Sequence, residues 1–141
     1  MPEQLHPALD TIGGAHEHVS DAELDAFVAR NLAGVPFDGK RVVLVVPDST
    51  RSCPLPLLVS SVHRQLIDRV ASLTCVIALG THSYMALDKI ERWFGVEPGG
   101  LEAAYPGMTI VNHEWEDPSM IVHVGTLSAE RRQRMRDMFD L

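Results

Sequence analysis

A short polar segment follows the first strongly apolar run of the chain and carries side chains that can bind an anion. Residues 48–51 read Asp-Ser-Thr-Arg and come directly after the run at 41–47. A guanidinium such as that of Arg51 can bind a carboxylate or a phosphate through two parallel hydrogen bonds. The hydroxyl of Thr50 adds a donor, and Asp48 can either hold Arg51 in place or accept a hydrogen bond from a ligand hydroxyl. The same residues also suit a structural turn with a local salt bridge, so residue types alone leave both interpretations open.

A second polar segment carries a candidate acid–base group. Residues 80–82 read Gly-Thr-His and come directly after the apolar run at 73–79. A glycine at the end of a strand lets a ligand approach the backbone closely, so Gly80 and Thr81 are candidates for ligand binding. The imidazole of His82 is suited to proton transfer near neutral pH. A lone histidine after a strand is more often a turn residue, and its position beside an anion-binding arginine is what makes it a candidate.

Two further side chains have weaker cases. Cys53 lies near an arginine and ahead of a helix, which favours a reactive thiol, but no histidine is adjacent in sequence. A structural role for Cys53 is therefore favoured over a catalytic one. His113 lies in a polar loop after a later apolar run. It is the best available second base, although it equally suits a cap of that loop.

The two apolar runs and the segment between them predict a parallel βαβ unit. Residues 57–70 are apolar at helical spacing, and each flanking run is continuous, as in strands that are buried on both faces. A crossover helix returns the chain so that both strands point the same way. Both polar segments therefore leave the same edge of the sheet, which is where ligands bind in open α/β folds. The predicted fold class is α/β and Rossmann-like, with a mostly parallel sheet and helices on both faces.

Length and composition limit the classes of protein to which the chain can belong. With 141 residues and 45% hydrophobic side chains, it is sized for one globular domain with a real core. The net charge of −7 argues against nucleic acid as a partner, because no basic field is present to displace counterions from phosphates. No apolar run is long enough to span a membrane, and no secretory signal is recognised. Two cysteines do not suggest a disulfide framework, which fits a cytoplasmic protein.

The rest of the chain predicts an arm and a few outer elements. Residues 1–19 show no hydrophobic period and are interpreted as an N-terminal arm, so the α/β domain spans 20–141. The last elements are weak, which suggests that the domain is incomplete. The outer elements predicted are a helix opened by the capping box at 20–23, short strands at 109–111 and 121–124, and a last helix capped by Ser128.

Taken together, these motifs resemble those of the lactate racemase family, the nickel-pincer-nucleotide enzymes. Members show an Asp-x-Thr-Arg-x-x-Pro loop followed by a Gly-Thr-His loop, and this chain has PDSTRSCPLPLL and then ALGTH at a matching interval. The entry segment TIGGAHEHVSDAELDAFVARNLAGVPFDGKRV is also similar. The resemblance runs from about Thr11 to beyond His113, and it is to the N-terminal domain portion of such enzymes.

The resemblance implies a 2-hydroxyacid racemase or epimerase that uses a nickel-pincer nucleotide. In such an enzyme the nickel cofactor takes a hydride from the α-carbon of the substrate and returns it to the opposite face. Motif by motif, it implies that His82 is the acid–base residue on the substrate hydroxyl. The residues implied to bind substrate or cofactor are Asp48, Thr50, Arg51, Gly80 and Thr81.

The resemblance also implies that part of the active site lies outside this chain. The family's second catalytic histidine, its cofactor-tethering lysine and its nickel-ligating histidine lie in a glycine-rich segment that this chain does not match. The only lysines are Lys40 and Lys89, and no metal ligand is assigned to this chain. The expected partners are a small 2-hydroxy acid and a missing C-terminal part or a partner chain, with a homo-oligomer as a further option. The isolated chain is expected to be inactive.

Two other classes of function stay open at this point. The first is a non-catalytic α/β module that binds a nucleotide or a small organic acid in the same Arg51/His82 pocket. The second is a simple interaction domain, in which Arg51 would be buried in structural contacts.

Overall fold

The computed structural model describes residues 10–139, so residues 1–9 of the predicted arm lie outside the described part. No helix in this part is both long and apolar enough to cross a lipid bilayer. In chain order the elements are α1 (Asp21–Ala33), β1 (Arg41–Pro47), α2 (Leu55–Leu66), β2 (Ser72–Ala78), α3 (Leu87–Trp93), α4 (Leu101–Ala104), β3 (Met108–Asn112), a 3-10 helix (Pro118–Met120) and α5 (Ala129–Phe139).

The three strands form one parallel sheet in the order β1-β2-β3. Val42, Leu73 and Met108 lie side by side across the three strands, which fixes the register. Because α2 joins β1 to β2 as a crossover, both strands end at the same edge. The predicted α/β fold with a parallel sheet is confirmed.

The first helix begins and ends where its sequence signals are. The hydroxyl of Ser20 accepts a hydrogen bond from the backbone N–H of Glu23, and the Glu23 carboxylate accepts one from the backbone N–H of Ser20. This is the predicted capping box, and the helix ends ahead of Gly34. The crossover helix begins two residues earlier than predicted, because Pro56 fits the first turn of a helix, where its missing N–H costs nothing.

The helices that follow β1 and β2 pack on one face of the sheet. On that face the side chains of Leu73 and Ile77 are buried in the main core, together with residues of α2 and α3. On the opposite face Val43 and Val45 are 61% and 64% exposed. The described part therefore differs from the expectation of helices on both faces. The continuous apolar runs suggested two buried faces, but β-branched valine is also enriched in strands that are buried on one face only.

The C-terminal part of the described chain adds a helix but no fourth strand. The strand predicted at 121–124 does not form, because no neighbouring strand pairs with it in the described part, and Ile121 and Val124 are 53% and 97% exposed. The last helix does form, and the Ser128 hydroxyl accepts a hydrogen bond from the backbone N–H of Arg131, as predicted. All described residues of α5 are exposed.

Candidate active site

A cleft of about 510 Å³ opens at the carboxyl edge of the sheet, where β1 and β2 end. This is the edge that the parallel topology assigned to ligands. The two polar segments singled out in the sequence converge here. The cleft is lined by Val45, Val46, Pro47, Asp48, Arg51, Ala78, Leu79, Gly80, Thr81 and His82.

The loop after β1 is a turn that closes on the side chain of Asp48. The backbone N–H of Arg51 donates to the carbonyl oxygen of Asp48 at 3.2 Å. The backbone N–H and the hydroxyl of Thr50 both donate to Oδ1 of Asp48, at 3.0 and 2.5 Å. These bonds define an Asx turn, the structural alternative that the sequence left open. Thr50 is exposed and does not line the cleft, so its observed contact is with Asp48, and its part in ligand binding stays a prediction.

The loop after β2 turns at a glycine. Gly80 has a φ of +62°, in the left-handed region that side chains with a Cβ rarely adopt. The turn is closed by the backbone N–H of His82, which donates to the carbonyl of Leu79 at 2.9 Å. Gly80, Thr81 and His82 all line the cleft and are exposed. The sharp turn thus brings the imidazole back over the end of the sheet.

A hydrogen bond between side chains joins the two loops. Nδ1 of His82 lies 2.6 Å from Oδ2 of Asp48, across 34 positions of sequence. Asp48 is 5% exposed, whereas the His82 side chain is 55% exposed. Hydrogen bonds from Thr50 and then from His82 lower the pKa of Asp48 from 3.8 to about 2. Asp48 is therefore an ionised acceptor at neutral pH.

The ionised carboxylate decides which nitrogen of the imidazole is free. Because the Asp48 oxygens accept hydrogen bonds, the hydrogen-bond network assigns a proton to Nδ1 of His82. In the neutral ring Nε2 is then the nitrogen without a proton. It belongs to a half-exposed side chain on the wall of the cleft. The arrangement can therefore take up or release a proton at Nε2, while Asp48 keeps the ring in place.

Arg51 is available to an anionic ligand. It is exposed, it lines the cleft, and no ion pair among residues 10–139 includes it. Of the two roles left open for Asp48, holding Arg51 in place is not observed, because no ion pair joins these two residues and the carboxylate is bonded by Thr50 and His82. Arg51 is also not buried in structural contacts, which disfavours the simple interaction domain.

Three residues contribute to the site without having been singled out in the sequence. The indole N–H of Trp93 donates to the carbonyl of Pro47 at 2.9 Å, and that of Trp115 donates to the carbonyl of His82 at 3.1 Å. The side-chain amide of Asn112 bonds both the N–H and the carbonyl of Met85, at 3.1 and 3.0 Å. For two of them the available signal was position, since Asn112 ends β3 and Trp115 follows it at the same edge of the parallel sheet; no such signal marked Trp93.

The two weaker candidates do not line the cleft. His113 is half-buried, and its backbone N–H donates to the carbonyl of Ile77 at 3.0 Å. Cys53 is half-buried and packs against the main core. Cys53 and Cys75 are both free, and burial raises the pKa of the Cys75 thiol to about 12. Neither cysteine has the setting of a nucleophile in this cleft.

The described side chains fit an organic anion but not a nickel ion. Among residues 10–139, no three His, Cys, Asp or Glu side chains lie close enough together to hold a metal. Lys40 precedes β1, at the opposite end of the strand from the cleft, and Lys89 lies on α3. Neither lysine lines the cleft. The cleft thus offers an anion-binding cation and an acid–base group, without metal ligands or a cofactor tether.

Comparison with solved structures supports the fold. A protein from Thermotoga maritima, whose crystal structure was determined by a structural genomics consortium, superposes with a TM-score of 0.69 at 22% sequence identity. The match covers 84% of this chain and 27% of that chain, so this chain spans about a quarter of the length of its structural neighbour.

Comparison at the level of sequence identifies the family. No curated protein sequence matches the chain. The lactate racemase N-terminal domain, by contrast, matches residues 11–138. That range includes both loops of the cleft and nearly the whole of the described structure. The chain therefore belongs to the lactate racemase N-terminal domain family.

Proposed function

We propose that this chain supplies the carboxylate-binding and acid–base part of a 2-hydroxyacid racemase or epimerase. The observation that carries the proposal is the hydrogen-bonded pair of Asp48 and His82, set beside Arg51 on the wall of one cleft. A 2-hydroxy acid has a carboxylate and a neighbouring hydroxyl. The cleft offers one group suited to each.

Arg51 would bind the carboxylate of the substrate. Its guanidinium is a planar donor that matches a carboxylate with two parallel hydrogen bonds. Since no described carboxylate neutralises it, its positive charge is available to the ligand. The other charged residue of the cleft lining is Asp48, whose carboxylate is already hydrogen-bonded by Thr50 and His82.

His82 would act on the hydroxyl. Racemisation through a keto form requires the hydroxyl proton to leave and later to return, and Nε2 can hold that proton in the interval. Asp48 would stabilise the imidazolium that results, because its carboxylate is ionised and lies 2.6 Å from Nδ1. His82 is thus proposed as the catalytic residue and Asp48 as the residue that positions it.

The remaining parts of the reaction are proposed to come from outside this chain. The nickel-pincer nucleotide implied by the family resemblance finds no metal ligands or tether among the described residues, and so hydride transfer is assigned to none of them. A second acid–base group is also needed on the opposite face of the substrate carbon. We propose that a C-terminal part of the protein or a partner chain supplies the site of the cofactor and this second acid–base group. The much greater length of the Thermotoga maritima protein is compatible with such an arrangement.

The experiment that tests this proposal compares two ligand classes on the purified chain. Titration with L-lactate, followed by NMR, should give a dissociation constant on the order of millimolar. Arg51→Ala should weaken binding by about tenfold or more, since a hydrogen bond to a charged group is lost. Arg132→Ala is the matched control, because Arg132 is exposed on α5 and remote from the cleft lining.

The same titrations distinguish part of a racemase from a non-catalytic binding module. If adenosine monophosphate binds at Arg51 and L-lactate does not, the cleft is a nucleotide site and Arg51 does not bind the substrate carboxylate. If neither ligand binds, or if the two arginine variants behave alike, the assignment of Arg51 to the substrate carboxylate is wrong.

A further inference from the structure

Both tryptophans of the chain donate their indole N–H to a backbone carbonyl beside the cleft. Trp93, the last residue of α3, bonds the carbonyl of Pro47 at 2.9 Å, directly ahead of Asp48. Trp115, in the loop after β3, bonds the carbonyl of His82 at 3.1 Å. One indole therefore bonds the backbone next to Asp48, and the other bonds the backbone of His82.

The two rings are themselves held by the core. Trp93 and Trp115 are partly buried and pack against the main hydrophobic cluster of the domain. A packed ring that presents a single N–H donor fixes the direction as well as the distance of its hydrogen bond. Each indole can therefore hold a segment beside the cleft in a fixed position relative to the core.

The loop that carries His82 depends on such attachments. Residues 80–84 are all exposed, so packing alone does little to hold them. The loop is bonded by Trp115 at His82 and by the side chain of Asn112 at Met85. Both attachments come from the end of β3, the third strand of the sheet. The hydrogen bond of 2.6 Å between the two side chains weakens if either backbone moves away from the other, so its geometry is sensitive to how both segments are held.

We propose that Trp93 and Trp115 are positioning residues whose indole N–H groups set the geometry of the Asp48–His82 pair. Trp93 fixes the end of β1 that carries Asp48, and Trp115 fixes the backbone of His82. Neither indole lines the cleft, so neither is a catalytic residue. This role concerns the pair itself, and so it stands whether or not the cleft takes a hydroxy acid.

The test removes each N–H group and keeps the aromatic ring. Trp115→Phe and Trp93→Phe are made in the full chain, labelled with ¹⁵N, and the tautomer of His82 is measured from its ring nitrogen signals. In the unaltered chain the Nδ1–H tautomer should dominate. In each variant the population of the Nε2–H tautomer should increase by a factor of about 2 to 10, which corresponds to the free energy of one neutral hydrogen bond.

A second readout follows the carboxylate of Asp48. Its titration midpoint, measured from the side-chain ¹³C signal, should rise from about 2 toward the ordinary value of 3.8 in both variants. A loss of general stability would not by itself move either quantity.

The matched control is Tyr105→Phe. The Tyr105 hydroxyl also donates to a backbone carbonyl, that of Phe94, at 3.4 Å, and it does so away from the cleft. This variant should lose stability and leave both signals of the pair unchanged. The proposal is overturned if the tryptophan variants change the His82 tautomer and the Asp48 midpoint no more than Tyr105→Phe does. If Trp115→Phe does not fold, the result for Trp93→Phe decides.

Discussion

The imidazole of half-exposed His82 is hydrogen-bonded at 2.6 Å to the carboxylate of buried Asp48, 34 positions earlier in the chain. The bond joins the loops that follow two neighbouring parallel strands. It gives the ring a defined tautomer and an anionic neighbour, the two features that let a histidine exchange protons at one chosen nitrogen. No ion pair within residues 10–139 includes Arg51, so its guanidinium can meet a ligand.

The pair makes the stability of the chain depend on pH in acid. The pKa of Asp48 is lowered from 3.8 to about 2 in the folded chain, so its contribution is present above 3.8 and is lost as the pH falls toward 2. Asp48→Asn removes this titration. The difference in the free energy of unfolding between the two proteins should therefore shrink across that interval. Urea unfolding at a series of pH values measures it.

A control separates this effect from general acid denaturation. Asp68 is exposed and forms no side-chain hydrogen bond among the described residues, so Asp68→Asn should give a difference that hardly changes with pH. A constant difference for Asp48→Asn as well would mean that the carboxylate is not stabilised by Thr50 and His82.

The two faces of the sheet should respond differently to truncation. Leu73 is 1% exposed in the core, so Leu73→Ala should lower the free energy of unfolding by about 2 to 5 kcal/mol. Val43 is 61% exposed on the opposite face, so Val43→Ala should cost less than about 1 kcal/mol. Chemical denaturation of both variants tests this. Equal losses would show that the second face is also buried, as the continuous apolar runs suggested.

Much of the architecture could be predicted from local pattern. The apolar runs at 41–47 and 73–79, with a helical period between them, led to the parallel sheet and to the shared edge for Asp48 and His82. The capping box at 20–23 located the first helix. These features depend on residues close together in sequence, whose periodicity and turn chemistry are sufficient.

Partner choice within the site could not be predicted in the same way. Asp48 and Arg51 are three residues apart and of opposite charge, so a local salt bridge was one of the interpretations that residue types left open, whereas the fold brings His82 to the carboxylate. The roles of Trp93 and Trp115 depend on distances between elements that no local pattern encodes. The run at 121–124 was predicted as a strand from its apolar residues alone, whereas a strand also needs a partner with which to pair.

Kinetics in a complete racemase containing residues 11–138 should separate the roles of the two site residues. His82→Gln should lower kcat by on the order of 10² or more, since a positioned proton carrier is lost. Arg51→Ala should chiefly raise KM, because it removes binding of the carboxylate. Arg132→Ala serves as the control for a lost surface charge. Undiminished kcat in the His82 variant, with normal metal content, would remove the catalytic role.

Whether Arg51 and His82 together bind a 2-hydroxy acid is tested by comparing L-lactate with propionate, which has the carboxylate but no hydroxyl, on the isolated chain. If Arg51 binds the carboxylate and Nε2 of His82 contacts the hydroxyl, lactate should bind more tightly by a factor of about 2 to 10. His82→Ala should abolish this preference, while His123→Ala, at an exposed position outside the cleft, should keep it. Equal affinity for the two acids in the unaltered chain, or the same preference in the His82 variant, would show that His82 does not contact the substrate hydroxyl.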